Sequence, residues 1–241
     1  MAEALFRKRL RIKETAATIV AAEPFLPLAE ADIRKQRGRL EDYIRRDPGF
    51  RTALAPRSVP PEAPPIVRRM ARAASRAGVG PMAAVAGALA ESALRAMAEA
   101  GATHALVDNG GDIALLLERP VTVGIFTGPS PVRDIAFRVE PRPGIFGICA
   151  SSGTVGHSLS FGRADAAVVL SADVGLADAV ATALGNAVTD EDETRLRETL
   201  AALGGIEGVE GLLAVVGKTL AVWGDLPPIV RTRVDPARVS R

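Results

Sequence analysis

The chain has 241 residues, one cysteine, 30 basic and 28 acidic side chains, and 48% hydrophobic residues. At about 150 residues per domain this length fits one large domain or two small ones, and the composition excludes a disordered or fibrous chain. A net charge of +2 and an aromatic set of seven Phe, one Trp and one Tyr exclude a strongly cationic surface and a base-stacking platform, so no nucleic-acid partner is expected. Of the 30 basic residues only Lys8, Lys13, Lys35 and Lys218 are lysines, a bias that accompanies the heavy Ala content, so a single arginine carries little functional information.

Residues 5–20 mix Arg and Lys with Leu10, Ile12, Ile19 and Val20 in short alternating stretches, the pattern of one or two strands at a sheet edge guarded by charge. Charges arrive before any apolar signal segment can form, which predicts a cytoplasmic protein. From Leu28 to Arg46, Ile33, Leu40, Tyr43 and Ile44 fall at helical spacing, and Asp47-Pro48-Gly49 ends the pattern. The prolines between 55 and 65 form an extended connector, dividing an N-terminal strand and helix layer (1–55) from a core (66–226) within one compact domain.

After the connector, 66–76 reads as a helix and Gly78-Val79-Gly80 as a turn, with Pro81 opening a long helix that ends at Gly101. The charge-free apolar stretch from Ala77 to Ala90 has 14 residues, short of the roughly 20 that a membrane span requires, so no membrane crossing is expected. Short strands over 104–107, 112–117, 121–127, 134–139 and 145–150 predict an antiparallel meander, with Cys149 as a buried strand residue. A strand over 166–170, helices over 174–188 and 190–203, and a hairpin over 212–223 complete an α+β chain of mixed, largely antiparallel sheets packed with helices. The Arg-rich tail from Pro227 has little periodicity and reads as peripheral.

Three segments carry candidate chemistry. In Val107-Asp108-Asn109-Gly110-Gly111-Asp112-Ile113 two glycines between strands serve either a simple hairpin or the close approach of a ligand to backbone. The run from Ala150 to Gly162 is free of charge, rich in hydroxyls and glycine, and holds His157, so it reads as a connector or a ligand loop. On the helix over 174–188, Asp178 and Thr182 stand one turn apart and present two oxygens on one face. They suit either a helix-dipole interaction or a hard cation such as magnesium.

In this order the three segments resemble the ApbE-like superfamily, whose secreted members are FAD:protein FMN transferases. The resemblance spans about residues 80–223: Val107 to Ile113 is similar to a V-N-x-G-G-D-I turn, Ser151-Ser152-Gly153 with His157 to part of a serine and histidine loop, and Ala177 to Ala183 to A-D-A-x-x-T-A in full. It implies an ApbE-like fold with FAD and magnesium. Asp178, Thr182 and a main-chain carbonyl near Val85 would hold the metal, with Asp178 supplying the only charge. Asn109, Gly110, Gly111, Asp112, Ser151, Ser152, Gly153 and Thr154 would meet the flavin nucleotide, and His157 would act as general acid or base.

The chain departs from the pattern where Ala86 replaces a Lys before Gly87 and where Ser160-Phe161 replaces an Asp-Pro pair. It also lacks a lipoprotein signal and the usual flavin-contacting aromatic segment, like a short, non-secreted branch. Two functions follow from the resemblance: an enzyme that cleaves FAD or transfers its FMN half, with a possible protein acceptor, or a non-catalytic flavin or nucleotide binder on the same fold. The Ala-rich helix faces are compatible with a homodimer.

Overall fold

Period-two alternation at the start of the chain gives a hairpin of β1 (Phe6–Ile12) and β2 (Thr15–Ala21) in the computed structural model, which describes residues 4–153 and 162–233. α1 (Leu26–Arg46) and the single turn α2 (Gly49–Thr52) follow. α3 (Pro65–Ala77) opens on proline and stops at Gly78, whose φ of 71° is the left-handed cap that glycine adopts without strain. A 3-10 turn over Pro81–Ala84 leads into α4 (Val85–Glu99). The next strands are β3 (Ala105–Asn109), β4 (Asp112–Leu116), β5 (Val121–Ile125), β6 (Ile135–Val139), β7 (Phe146–Ser151) and β8 (Ala166–Ser171). Helices α5 (Val174–Ala187) and α6 (Glu193–Gly204) precede β9 (Val209–Val216), β10 (Thr219–Gly224) and β11 (Ile229–Arg231).

Eight strands pair antiparallel in the order β1-β2-β3-β4-β7-β8-β9-β10, and β11-β6-β5 form a second sheet. The fold is α+β, in three layers. Every residue of β8 is buried, because its two faces serve two cores: Ala167 and Val169 pack under the helices, while Ala166, Val168 and Leu170 meet Val123, Phe137 and Phe146 beneath the small sheet. Small residues set the helix spacing. A Cβ on Gly87 of α4 would lie 2.4 Å from the Val174 carbonyl oxygen of α5, so these helices touch backbone to backbone only because that position is glycine. Among the described residues no single helix is long and apolar enough to cross a membrane.

The edge position of β1 is as expected, with Lys8 and Lys13 paired to Glu30 and Glu41 of α1. Four expectations are corrected. The strands over 121–127 and 134–139 do not continue a meander: β4 pairs directly with β7, and the β5-β6 hairpin leaves the large sheet to cover it. The tail is not wholly peripheral, since Ile229 pairs with Phe137 and Val230 with Ala136; three residues of strand are too few for a visible period. Pro81 opens a 3-10 turn rather than the long helix, which begins at Val85 and reaches only Glu99. The helix expected from Asp190 begins at Glu193, where the Asp192 side chain accepts from the Arg195 amide as N-cap.

Candidate functional site

The strand register brings three turns to one end of the large sheet. Ala17 of β2 faces Asn109, Asn109 faces Asp112, and Asp112 faces Cys149 of β7, so the turns at Lys13-Glu14 and Gly110-Gly111 and the end of β7 at Ser151 lie side by side. Over this end wraps a cavity of about 1120 Å³, bounded also by the first turn of α4, by α5 and by β5.

Of the residues predicted from sequence, Val85, Asn109, Gly110, Gly111, Asp112, Ser151, Ser152, Asp178 and Thr182 all line this cavity. Gly153 does not: its amide donates to the Ala164 carbonyl at 2.8 Å, and a Cβ there would lie 2.3 Å from the Gly162 carbonyl oxygen, so it closes the base of the loop. Thr154 and His157 lie outside the described residues.

The glycine turn closes the β3-β4 hairpin and leaves open space over its backbone. Gly110 and Gly111 have φ of 76° and 103°, and a Cβ on Gly110 would meet nothing within 4 Å. The Gly111 amide donates to Asp108 Oδ1 at 2.9 Å, which fixes the turn. Asn109 Nδ2 donates to the Ala86 carbonyl at 3.1 Å, and the Gly87 amide donates to Asp178 Oδ2 at 2.8 Å. Sheet, α4 and α5 are thus tied together at the first turn of α4. Asp178 lies within α5 rather than at its start, where Asp173 is the cap and accepts from the Leu176 amide, so the helix-dipole reading of Asp178 gives way.

A second carboxylate, Asp112, accompanies Asp178 at the cavity wall. Strand alternation turns Asp112 toward the helices, on the side of Asp178, and both carboxylates are 8% exposed. Burial raises Asp178 from 3.8 to about 7, against the amides of Gly87 and Ala86, which favour its charged form. Asp112 lies well above the usual carboxylate range, through burial first and the charge of Asp178 second. Burial and the same two carboxylates push the Cys149 thiol up, which makes it a neutral core group as expected. Asp112 Oδ1 is buried without a hydrogen-bond partner. Asp112, Asp178, Thr182 and Val85 line the same cavity, and carboxylate, hydroxyl and main-chain carbonyl oxygens are the kind of donor a hard divalent cation takes.

The N-terminal layer contributes more to the cavity than its sequence suggested. Arg37 of α1 lines it, donates to Glu14 and Glu41 at 3.0 Å each, and also bonds Thr15. The four-residue spacing of Arg37 and Glu41 was the one available signal, and it reads equally as a solvated helix pair.

A family model described as "AbpE bacteria" matches residues 3–203. The chain is 48% identical over 233 residues to a UPF0280 protein of Methanocella arvoryzae, covering 97% of this chain and 94% of that one. It is 49% identical over 232 residues to a UPF0280 protein of Methanothrix thermoacetophila, covering 95% and 97%. In three dimensions it is similar to the apo flavinyl transferase ApbE of Pseudomonas stutzeri, with a TM-score of 0.59 at 12% identity over 92% of this chain and 94% of the other. Matching sequence along nearly its whole length, and sharing the fold of the Pseudomonas stutzeri protein across a wide gap in identity, the chain belongs to the AbpE bacteria family and to the UPF0280 proteins.

Proposed function

We propose that the chain is a metal-dependent flavin enzyme that cleaves FAD or transfers its FMN half to an acceptor. The observation that carries this reading is the convergence of segments about 70 residues apart in sequence, the glycine turn at 110–111 and the Asp178–Thr182 face of α5, on one cavity. Its volume of about 1120 Å³ is ample for a dinucleotide, since pockets for drug-sized ligands span roughly 300–1,000 Å³. The flavinyl transferase activity named for the Pseudomonas stutzeri protein gives the reaction class.

In this reading Asp178, Thr182 and the Val85 carbonyl hold magnesium, which when bound neutralises phosphate charge as the phosphoanhydride breaks. The chain's own groups orient the nucleotide. The open backbone at Gly110 and Gly111 admits phosphate oxygens, and the Ser151 hydroxyl offers a donor on the facing strand end, while the Ser152 hydroxyl donates to the Ala164 carbonyl at 3.4 Å. Asn109 holds the first turn of α4 in register by its bond to Ala86, and the amides of Gly87 and Ala86 hold the Asp178 carboxylate at the wall of the cavity. His157 is the proposed general acid or base, its ordinary pKa being near neutrality. The proposed setting is cytoplasmic, with a small flavin or nucleotide as ligand.

The test is incubation of purified protein with FAD and magnesium, with products followed by chromatography and mass spectrometry. Release of FMN and AMP, or an FMN adduct on an added acceptor, is expected. Tight FAD binding with neither product would favour the non-catalytic binder, for which the Ala86 position that is Lys in the family pattern is the specific observation. Failure to bind any flavin would overturn both.

A further inference from the structure

Of the carboxylates that line the cavity, those of Asp112 and Asp178 are the buried ones, while Glu14, Glu41 and Asp108 are more exposed. Among the described residues neither Asp112 nor Asp178 forms an ion pair, although both are about nine-tenths buried. Asp178 has the Gly87 amide on one oxygen, while Asp112 Oδ1 has no partner. A buried, unpaired charge of this kind is costly unless a proton or a cation accompanies it. The nearby polar groups do not supply one: the Cys149 thiol and the Ala150 amide that reach the Asp112 carboxylate are neutral, the Asn109 amide donates to Ala86, and Asp108 accepts from the Gly111 amide on its own turn. The arrangement is fixed by the fold. Asp112 is the first residue of β4, paired across to Cys149, and its side-chain face of the sheet is the one that α4 and α5 cover.

We infer that Asp112 is a second carboxylate ligand of the cation held by Asp178, so that the two acids load a hard divalent ion before any nucleotide enters. The inference rests on the metal half of the proposed function and not on the flavin half. A single carboxylate leaves magnesium dependent on substrate phosphates, whereas two carboxylates, a hydroxyl and a carbonyl bring the protein's share of the shell to four oxygens. Asp112 then belongs to the metal and not to the nucleotide, and the phosphates meet an ion already in place.

The experiment titrates Mn²⁺ into the full chain after treatment with chelator and without nucleotide, following the electron paramagnetic resonance of free Mn²⁺ and the heat of binding. One ion per chain is expected. Asp112→Asn and Asp178→Asn should each weaken it at least tenfold, and Glu193→Gln, an exposed carboxylate on α6 outside the cavity, should leave it unchanged. Asp112→Ala, which removes the carboxylate without adding a polar group, is measured beside Asp112→Asn with thermal unfolding of both, so that the result does not hang on one folded variant. Mn²⁺ bound by both Asp112 variants as tightly as by the parent would overturn the inference, as would a parent that binds Mn²⁺ only once FAD is added. That second result would leave the flavin reading standing. Conversely, tight Mn²⁺ binding that depends on Asp112, with no affinity for FAD, would sustain this site and remove the flavin.

Discussion

Asp178→Asn takes one charge out of the buried pair and leaves the shape and an oxygen for the Gly87 amide. In the parent, burial moves this carboxyl from 3.8 to about 7. At about 1.36 kcal/mol for each tenfold change, ionising it in the metal-free fold costs roughly 4 kcal/mol as an upper bound, and about 2 kcal/mol if the cavity relaxes or admits water. The folded pKa is the higher one, so the native state binds the proton more tightly. Stability is therefore greatest below the unfolded value near 4, falls as pH rises from about 4 to 7, and the loss is complete above 7. Asparagine suffers no such loss. Parent and variant should unfold alike at pH 4, whereas at pH 8 in chelator the variant should melt higher by about 5–10 °C, given about 2–4 °C per kcal/mol for a chain of this size. Saturating magnesium should narrow the gap, because at a hundredfold excess over its Kd the parent gains about 2.7 kcal/mol, while a variant that binds tenfold more weakly gains about 1.4 kcal/mol. Melting curves by circular dichroism under the three conditions decide it. A variant less stable than the parent at pH 8 without metal, or a difference that does not change with pH, would refute the electrostatic account.

Gly87→Ala places a Cβ 2.4 Å from the Val174 carbonyl oxygen and 2.8 Å from Asp178 Cβ, so it should push α4 from α5, destabilise the fold by about 1–3 kcal/mol in chemical denaturation, and weaken Mn²⁺ binding. Asn109→Ala removes the bond that ties β3 to the Ala86 carbonyl and should cost about 1 kcal/mol or slightly more in denaturant midpoint; an unchanged midpoint would show that the bond does not hold α4. Cys149 should resist thiol reagents in the native protein and react only on unfolding, since burial and two carboxylates oppose its thiolate; rapid native labelling would contradict the packing.

The parts of this structure governed by local pattern were legible in the sequence. Ile33 and Leu40 lie at helical spacing and are buried on α1, and the alternation of 6–21 gives a hairpin with its charges at the sheet edge. Long-range pairing was not legible. Val121–Ile125 alternates as any strand does, and nothing local to it says that it leaves the sheet after β4 and pairs with β6 alone. At the site, the residue identities were readable because glycine turns and helix spacings are local, but the partnership of Asp112 with Asp178 was not. It depends on which face of β4 the helices cover, and that is set by β2, β3 and β7 on either side. Arg37 escaped for the same reason, since its pairing with Glu14 depends on how α1 lies beside the β1-β2 turn.

Because β4 and β7 are neighbours, everything between them, residues 117–145, is an excursion from a sheet that would close without it. That excursion brings Val121, Val123 and Ile125 to the cavity, while the carboxylates and the glycine turn are anchored in the large sheet and its helices. In the proposed function, the metal ligands and the wall that would receive the body of the ligand are therefore built by different stretches of chain. Lengthening or rewriting the β5-β6 hairpin would change which molecule fits without moving Asp112 or Asp178. A family on this scaffold could thus diversify its ligands while retaining one reactive end.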